Sequence, residues 1–142
     1  MNSETDSSGF KVMLIDDTEV DAYISKRMLT KSNFSSEIME FYSAEKALDY
    51  LQENSKNYDA LPQIIFLDIH MPAMNGFDFL EKFQSIKCEI RDFCKVVMLT
   101  SSVDENDVQE AKKYPGILKF LIKPLQLDQL QSLNKELLAT NQ

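Results

Sequence analysis

Nothing in the sequence is long and apolar enough to cross a bilayer as a helix, so no membrane partner is expected. Positive charge is scarce. Fifteen lysines and arginines stand against 23 aspartates and glutamates, a formal net charge of −8 at pH 7. That balance lacks the basic footprint that a phosphate backbone requires, so no nucleic-acid partner is expected either. Cysteine is also scarce. Cys88 and Cys94 are the only two, six apart in a charged connection. They suggest neither a disulfide framework nor a metal site and read as reduced, unpaired thiols. His70 is the single histidine. Met1 to Gly9 has neither the basic start nor the apolar stretch of a secretory leader, and reads as a disordered tail. Repeats, low-complexity segments and linkers are missing as well. These absences predict a cytoplasmic chain with one globular domain over residues 10–142, and 44% hydrophobic content is ample for its core.

The positive signal is four short apolar runs, Val12–Ile15, Ile64–Leu67, Val96–Leu99 and Phe120–Ile122. Continuous runs of this length suit strands buried on both faces of a parallel sheet. Each run ends in polar residues: Asp16-Asp17, Asp68, Thr100 and Lys123-Pro124. In a parallel sheet all the strand C-termini lie along one edge, and ligands bind there. Three carboxylates, a hydroxyl and an ammonium are therefore expected in one pocket.

Helical patterns separate the runs. Thr18 to Lys31 carries Val20, Ile24 and Met28 at one-turn spacing, which predicts an inward face, with Asp17 or Thr18 as its cap. Glu37 to Tyr42 reads as a further strand with Ile38 and Tyr42 inward. Ala44, Ala47, Leu48 and Leu51 form the buried stripe of a second helix, and Phe77, Leu80 and Phe83 that of a third. Asp104 to Lys113 is only weakly amphipathic, with Val108 and Ala111 inward, and Pro115-Gly116 ends it. Leu127, Leu130, Leu133 and Leu137 form the stripe of the last helix. The order βαβαβαβαβα predicts an α/β fold: a single doubly wound five-stranded parallel sheet with five helices.

Three carboxylates within a few ångströms of one another cannot all ionise without compensation. Carboxylate and carbonyl oxygens suit Mg²⁺, a hard cation that also recruits phosphate oxygens. Asp68 beside such an ion is chemically able to attack a phosphoryl group and become an aspartyl phosphate. Lys123 and Thr100 would then contact the phosphoryl oxygens. Taken singly, these residues have plainer explanations: Asp16-Asp17 as a helix cap and first-turn acid, Asp68 as a turn residue, Thr100 as a cap, Lys123 as a strand exit. Four of them at four parallel strand ends favour the joint reading.

Over Lys11 to Leu138 the chain resembles the receiver domains of two-component response regulators. The resemblance rests on Leu14-Ile15-Asp16-Asp17, on Leu67 to Gly76 with its Asp-x-x-Met-Pro-x-x-x-Gly pattern, on Leu99-Thr100-Ser101, and on Phe120 to Pro124. It implies a flavodoxin-like strand order of 2-1-3-4-5. It implies Asp68 as phosphoacceptor and Asp17, Asp16 and the His70 backbone carbonyl as Mg²⁺ ligands with Asp68. It implies Lys123 as the phosphate-contacting lysine with a cis bond to Pro124, and Thr100 and Phe120 as the switch pair. The implied phosphoryl donor is a sensor histidine kinase or a histidine phosphotransfer protein, and the output is an unidentified protein. In the family the side chains at the positions of His70 and Ser102 tune the phosphoryl lifetime. The His70 imidazole reads as exposed, with its carbonyl doing the work. Leu125 departs from the Phe that many relatives carry there.

The resemblance implies a stand-alone signalling phosphoacceptor rather than an enzyme. The surface of the Asp104 helix, the last strand and the last helix is expected to report its state. A phosphorelay intermediate, passing the phosphoryl group on to another histidine, is the alternative. A dehalogenase-type phosphatase is disfavoured because His70 stands where a second acid is needed. A flavodoxin would need a hydroxyl- and glycine-rich loop in place of Asp16 to Asp21.

Overall fold

The computed structural model describes residues 9–86, 88–101, 104–114 and 116–140. Residues 1–8 of the expected tail, Ser102 and Pro115 of the expected helix stop lie outside the described residues. Five strands, β1 (Phe10–Ile15), β2 (Ser35–Phe41), β3 (Ile64–Asp68), β4 (Lys95–Thr100) and β5 (Ile117–Ile122), form one sheet in the order β2-β1-β3-β4-β5. Every neighbouring pair is parallel. The three continuous runs at the centre, in β1, β3 and β4, are buried almost throughout, whereas the edge strands β2 and β5 are half-exposed. Burial on both faces is why those three runs show no polar alternation.

Strand side chains alternate between two cores. Met13, Ile15, Ile65, Leu67, Val96 and Met98 pack with α2 (Ala44–Glu53), α3 (Gly76–Phe83) and the short α4 (Cys88–Phe93). Val12, Leu14, Ile64, Phe66, Val97 and Leu99 pack with α1 (Glu19–Lys31) and α6 (Leu127–Thr140). Helix α5 (Glu105–Ala111) lies between β4 and β5 in the chain and has no fully buried residue. The stripe expected of α2 is observed, with Ala44, Ala47, Leu48 and Leu51 buried; in α6 Leu130, Leu133 and Leu137 are buried, and Leu127 at the helix start is half-buried. Helix α4 is an addition to the expected pattern; it lies within the β3–β4 crossover, where the sequence shows only a charged connection, and leaves the sheet order unchanged.

Two expectations are corrected. The inward face of α1 is Ala22, Ser25 and Leu29, with Met28 only half-buried, while Val20 and Ile24 are 66% and 37% exposed. Small residues at 22 and 25 suit a close approach of α1 to the sheet, and that places the larger side chains one step around the helix. In β2, Phe41 packs against the core and Tyr42, past the strand end, is exposed. Capping differs too. Thr18 stands at the N-cap of α1 without a side-chain hydrogen bond. Asn75 and Asp78 form a reciprocal capping box at α3, which fixes where the chain re-enters a helix after β3.

Gly76 begins α3 where the chain doubles back on the end of β3. Its N–H donates to the Ile69 carbonyl at 2.8 Å. A Cβ there would stand 2.8 Å from the Asp68 carbonyl oxygen and 3.0 Å from the Ile69 Cα, both backbone atoms. Alanine normally gains about 0.5–1 kcal/mol over glycine in a helix. Here the overpacking, typically about 1–3 kcal/mol, wins. Gly76→Ala is expected to lower the urea unfolding midpoint; an unchanged or higher midpoint would show that the β3 exit has slack.

Candidate functional site

The sheet order reverses between β1 and β3, and their C-terminal ends flank the crevice where doubly wound sheets bind ligands. Asp16 and Asp17 follow β1 and Asp68 closes β3. Each offers a carboxylate oxygen, and these oxygens lie within 4.8 Å of one another. Asp16 and Asp68 are buried. A hard divalent cation fits such a donor set, all oxygen and partly desolvated.

Lys123 leaves β5 with its N–H donating to the Thr100 carbonyl at 2.7 Å, which seats it beside the β4 exit. The peptide between Lys123 and Pro124 is cis, as the resemblance implied. Its nearly buried ammonium reaches Asp21 Oδ2 at 2.9 Å, Asp16 Oδ2 at 3.2 Å and Asp68 Oδ1 at 3.5 Å. Burial works to lower the Lys123 pKa, but the Asp21 hydrogen bond and the charges of Asp68 and Asp16 outweigh it and hold it above the ordinary value. Asp16 accepts a second hydrogen bond, from the Thr18 N–H at 3.0 Å, so both its oxygens are engaged.

Asp68 is compensated less well. Burial, with help from the Asp16 and Asp17 charges, pushes its carboxyl up to about 6, against the opposing pull of Lys123 and the His70 N–H. That N–H donates to Asp68 Oδ1 at 3.3 Å. The His70 imidazole points elsewhere: it is exposed, and its Nε2 lies 3.3 Å from Asp107 Oδ2 on α5. Thr100 is buried at the end of β4, one residue beyond the Asp68–Leu99 register pair, and Phe120 is half-buried in β5.

The strand-end residues that the sequence singled out, Asp16, Asp17, Asp68 and Lys123, thus meet in one cluster, with Thr100 at the neighbouring strand end. Sequence reasoning missed two residues. Asp21 is the nearest partner of Lys123; its signal was its place one helical turn beyond Asp17. Asp107 is half-buried on a helix that looks polar throughout, and no local pattern marks it. Cys94 plays no part: it is buried against the core, and burial pushes its thiol up to about 12.

A five-stranded parallel sheet with acids at its switch point and a lysine at a further strand end defines a class of phosphate-handling α/β domain. The comparisons make this specific. The family described as the response regulator receiver domain matches residues 12–135. The chain is 27% identical to the probable methanogenesis regulatory protein FilR2 of Methanothrix harundinacea, over 90% of this chain and 81% of that protein. It is 29% identical to the two-component response regulator ORR21 of Oryza sativa subsp. indica over 88% of this chain, but that match spans only 16% of the rice protein. Among solved structures, a two-component response regulator from Cytophaga hutchinsonii superposes with a TM-score of 0.81 at 26% identity, covering 90% of this chain and 96% of that one. The chain belongs to the response regulator receiver domain family. Domains of this family are signalling phosphoacceptors rather than conventional enzymes.

The raised Asp68 pKa has a consequence for stability. The ordinary value is 3.8 and the folded value about 6. Between them the folded chain holds a proton that the unfolded chain has released, so stability falls as pH rises through that window. Asp68→Asn removes the titrating group. Without divalent cations, it is expected to flatten the dependence between about pH 4 and 6 and to raise stability at neutral pH, measured by urea unfolding. Parallel curves for the two proteins would show that Asp68 is not held uncompensated.

Proposed function

We propose that Asp68 accepts a phosphoryl group from a phosphohistidine donor and that the resulting charge switches the surface around α5. The observation that carries this reading is the placement of a buried, under-compensated carboxylate between two further acids and a lysine. An Asp68 oxygen forms the new O–P bond as the donor's P–N bond breaks, and the imidazole nitrogen keeps the bonding electron pair. Asp16, Asp17, Asp68 and the His70 backbone carbonyl would hold Mg²⁺, which supplies positive charge opposite the phosphoryl oxygens. Lys123 donates a charge-assisted hydrogen bond to one of those oxygens. The donor is a cytoplasmic sensor histidine kinase or histidine phosphotransfer protein. Exposed Val20, Tyr23 and Ile24 on α1, with Ile24 beside Lys123 and Pro124, supply an apolar rim against which a helical donor can pack.

Signalling follows from the new charge. The phosphoryl oxygens draw in the Thr100 hydroxyl, the β4–α5 loop shifts, and Phe120 moves into the vacated space. One charge-assisted hydrogen bond contributes roughly 1.5–3 kcal/mol, or about a 10- to 150-fold shift between two states. Helix α5 can answer a shift of that size because it has no fully buried residue to anchor it. The half-exposed surface of α5, β5 and α6, with Leu118, Ile122 and Leu138 exposed, would then be read by an output protein.

Incubation with acetyl phosphate and Mg²⁺ is expected to add the mass of one phosphoryl group to the wild-type chain and none to Asp68→Asn. Uptake by the variant, or none by either protein, would contradict the assignment. Thr100→Ala is expected to take up the group but to bind the output protein equally well in both states. Retained phosphorylation dependence in that variant would break the proposed link.

A further inference from the structure

Lys123 is not closest to the acid it is expected to serve. Its ammonium lies 2.9 Å from Asp21, 3.2 Å from Asp16 and 3.5 Å from Asp68. The first two are hydrogen bonds, and the third is too long to be a good one. Asp21 lies in the first turn of α1, whereas Lys123 leaves β5, so the pair also joins two separate elements. Asp21 is not one of the three acids that cluster as cation ligands. Nothing in the resemblance gives it a role.

We infer that Asp21 is a positioning residue for Lys123, a rim carboxylate that holds the ammonium off Asp68 in the resting state and competes with the phosphoryl oxygens for it afterwards. This rests on the proposed roles of Asp68 and Lys123. An ammonium has three N–H donors and no more. At rest, two of them serve Asp21 and Asp16, and Asp68 keeps only the 3.5 Å approach of the ammonium and the 3.3 Å bond from the His70 N–H, both at Oδ1. Once a phosphoryl group is attached, its oxygens are the stronger magnet, and the ammonium is shared with or drawn from Asp21. The Asp21 side chain is 41% exposed, so water can resolvate it when the lysine turns away. A fully buried partner would make a trap; a half-exposed one makes a competitor of modest strength.

Removing the competitor should therefore favour the occupied state. The probe is beryllofluoride with Mg²⁺, a mimic of a phosphoryl group on a carboxylate, followed by fluorine NMR. Asp21→Asn, which keeps the shape and removes the charge, is expected to tighten beryllofluoride binding by roughly two- to fivefold, the scale of a half-exposed charge pair. Asp21→Glu is expected to restore the wild-type value. A purely structural Asp21 would instead lower the melting temperature and leave the affinity unchanged or weaker, and either affinity result overturns the inference. A second readout needs no phosphoryl mimic: the Lys123 15Nζ resonance should move in Asp21→Asn, and an unmoved resonance also overturns the inference. If the wild-type chain binds no beryllofluoride, the phosphoacceptor reading fails, while the Nζ resonance still decides whether Asp21 holds the lysine.

Discussion

A single ammonium makes the acid-rich end of this sheet possible. Asp16 is buried and Asp68 nearly so, and carboxylates removed from water without a counter-charge either take up protons or destabilise the fold. Lys123 reaches both of them, and the half-exposed Asp21, at once. The parallel sheet creates the need for this and also supplies it. Parallel strands release every C-terminus on one edge, so the acids of β1 and β3 and the lysine of β5 converge with no long-range loop to guide them. One ammonium among four neighbouring carboxylates still leaves excess negative charge. That excess is what a divalent cation would answer, and it makes Asp68 sensitive to whatever arrives next.

Stability is distributed unevenly around this centre. The two cores on either face of the sheet fix β1, β3 and β4, and with them the positions of Asp16, Asp68 and Thr100, on a rigid frame. Helix α5 is held differently. Tyr114 just beyond it reaches back to Glu81 at 3.1 Å and stacks on Phe77, and Asp107 meets His70 at 3.3 Å. Those ties are few and partly polar, and one of them starts two residues from Asp68. A segment anchored this way can take a second position at small cost, which a packed strand cannot.

Much of this arrangement is legible in the amino-acid sequence, for a physical reason. Ile64–Leu67 and Val96–Leu99 are buried on both faces, so their apolar character is continuous and their ends are sharp; the polar residue after each run then marks the sheet edge. Helix α1 misleads because hydrophobicity does not by itself mark its buried side. Its sheet-facing side uses Ala22 and Ser25, which a hydrophobic pattern barely registers, while Val20 and Ile24 sit outside. Tyr42 at the end of β2 misleads for a related reason, since an edge strand lacks the two-sided burial that makes a pattern readable. Asp21 and Asp107 escape because their importance lies in partners, Lys123 and His70, that are 102 and 37 positions away in the chain. Gly76 was visible as part of a motif, but its need for a bare Cα comes from the Asp68 carbonyl packed against it.

The proposed function depends on excess negative charge at one sheet edge, which a divalent cation held by Asp16, Asp17 and Asp68 would answer. Calorimetric titration of Mg²⁺ into the wild-type chain and into Asp17→Asn tests this most directly. Saturable one-site binding by the wild type at near-physiological ionic strength, and a severe loss of affinity in the variant, are expected. Absence of binding to the wild type, or equal affinity in both proteins, would contradict the proposal.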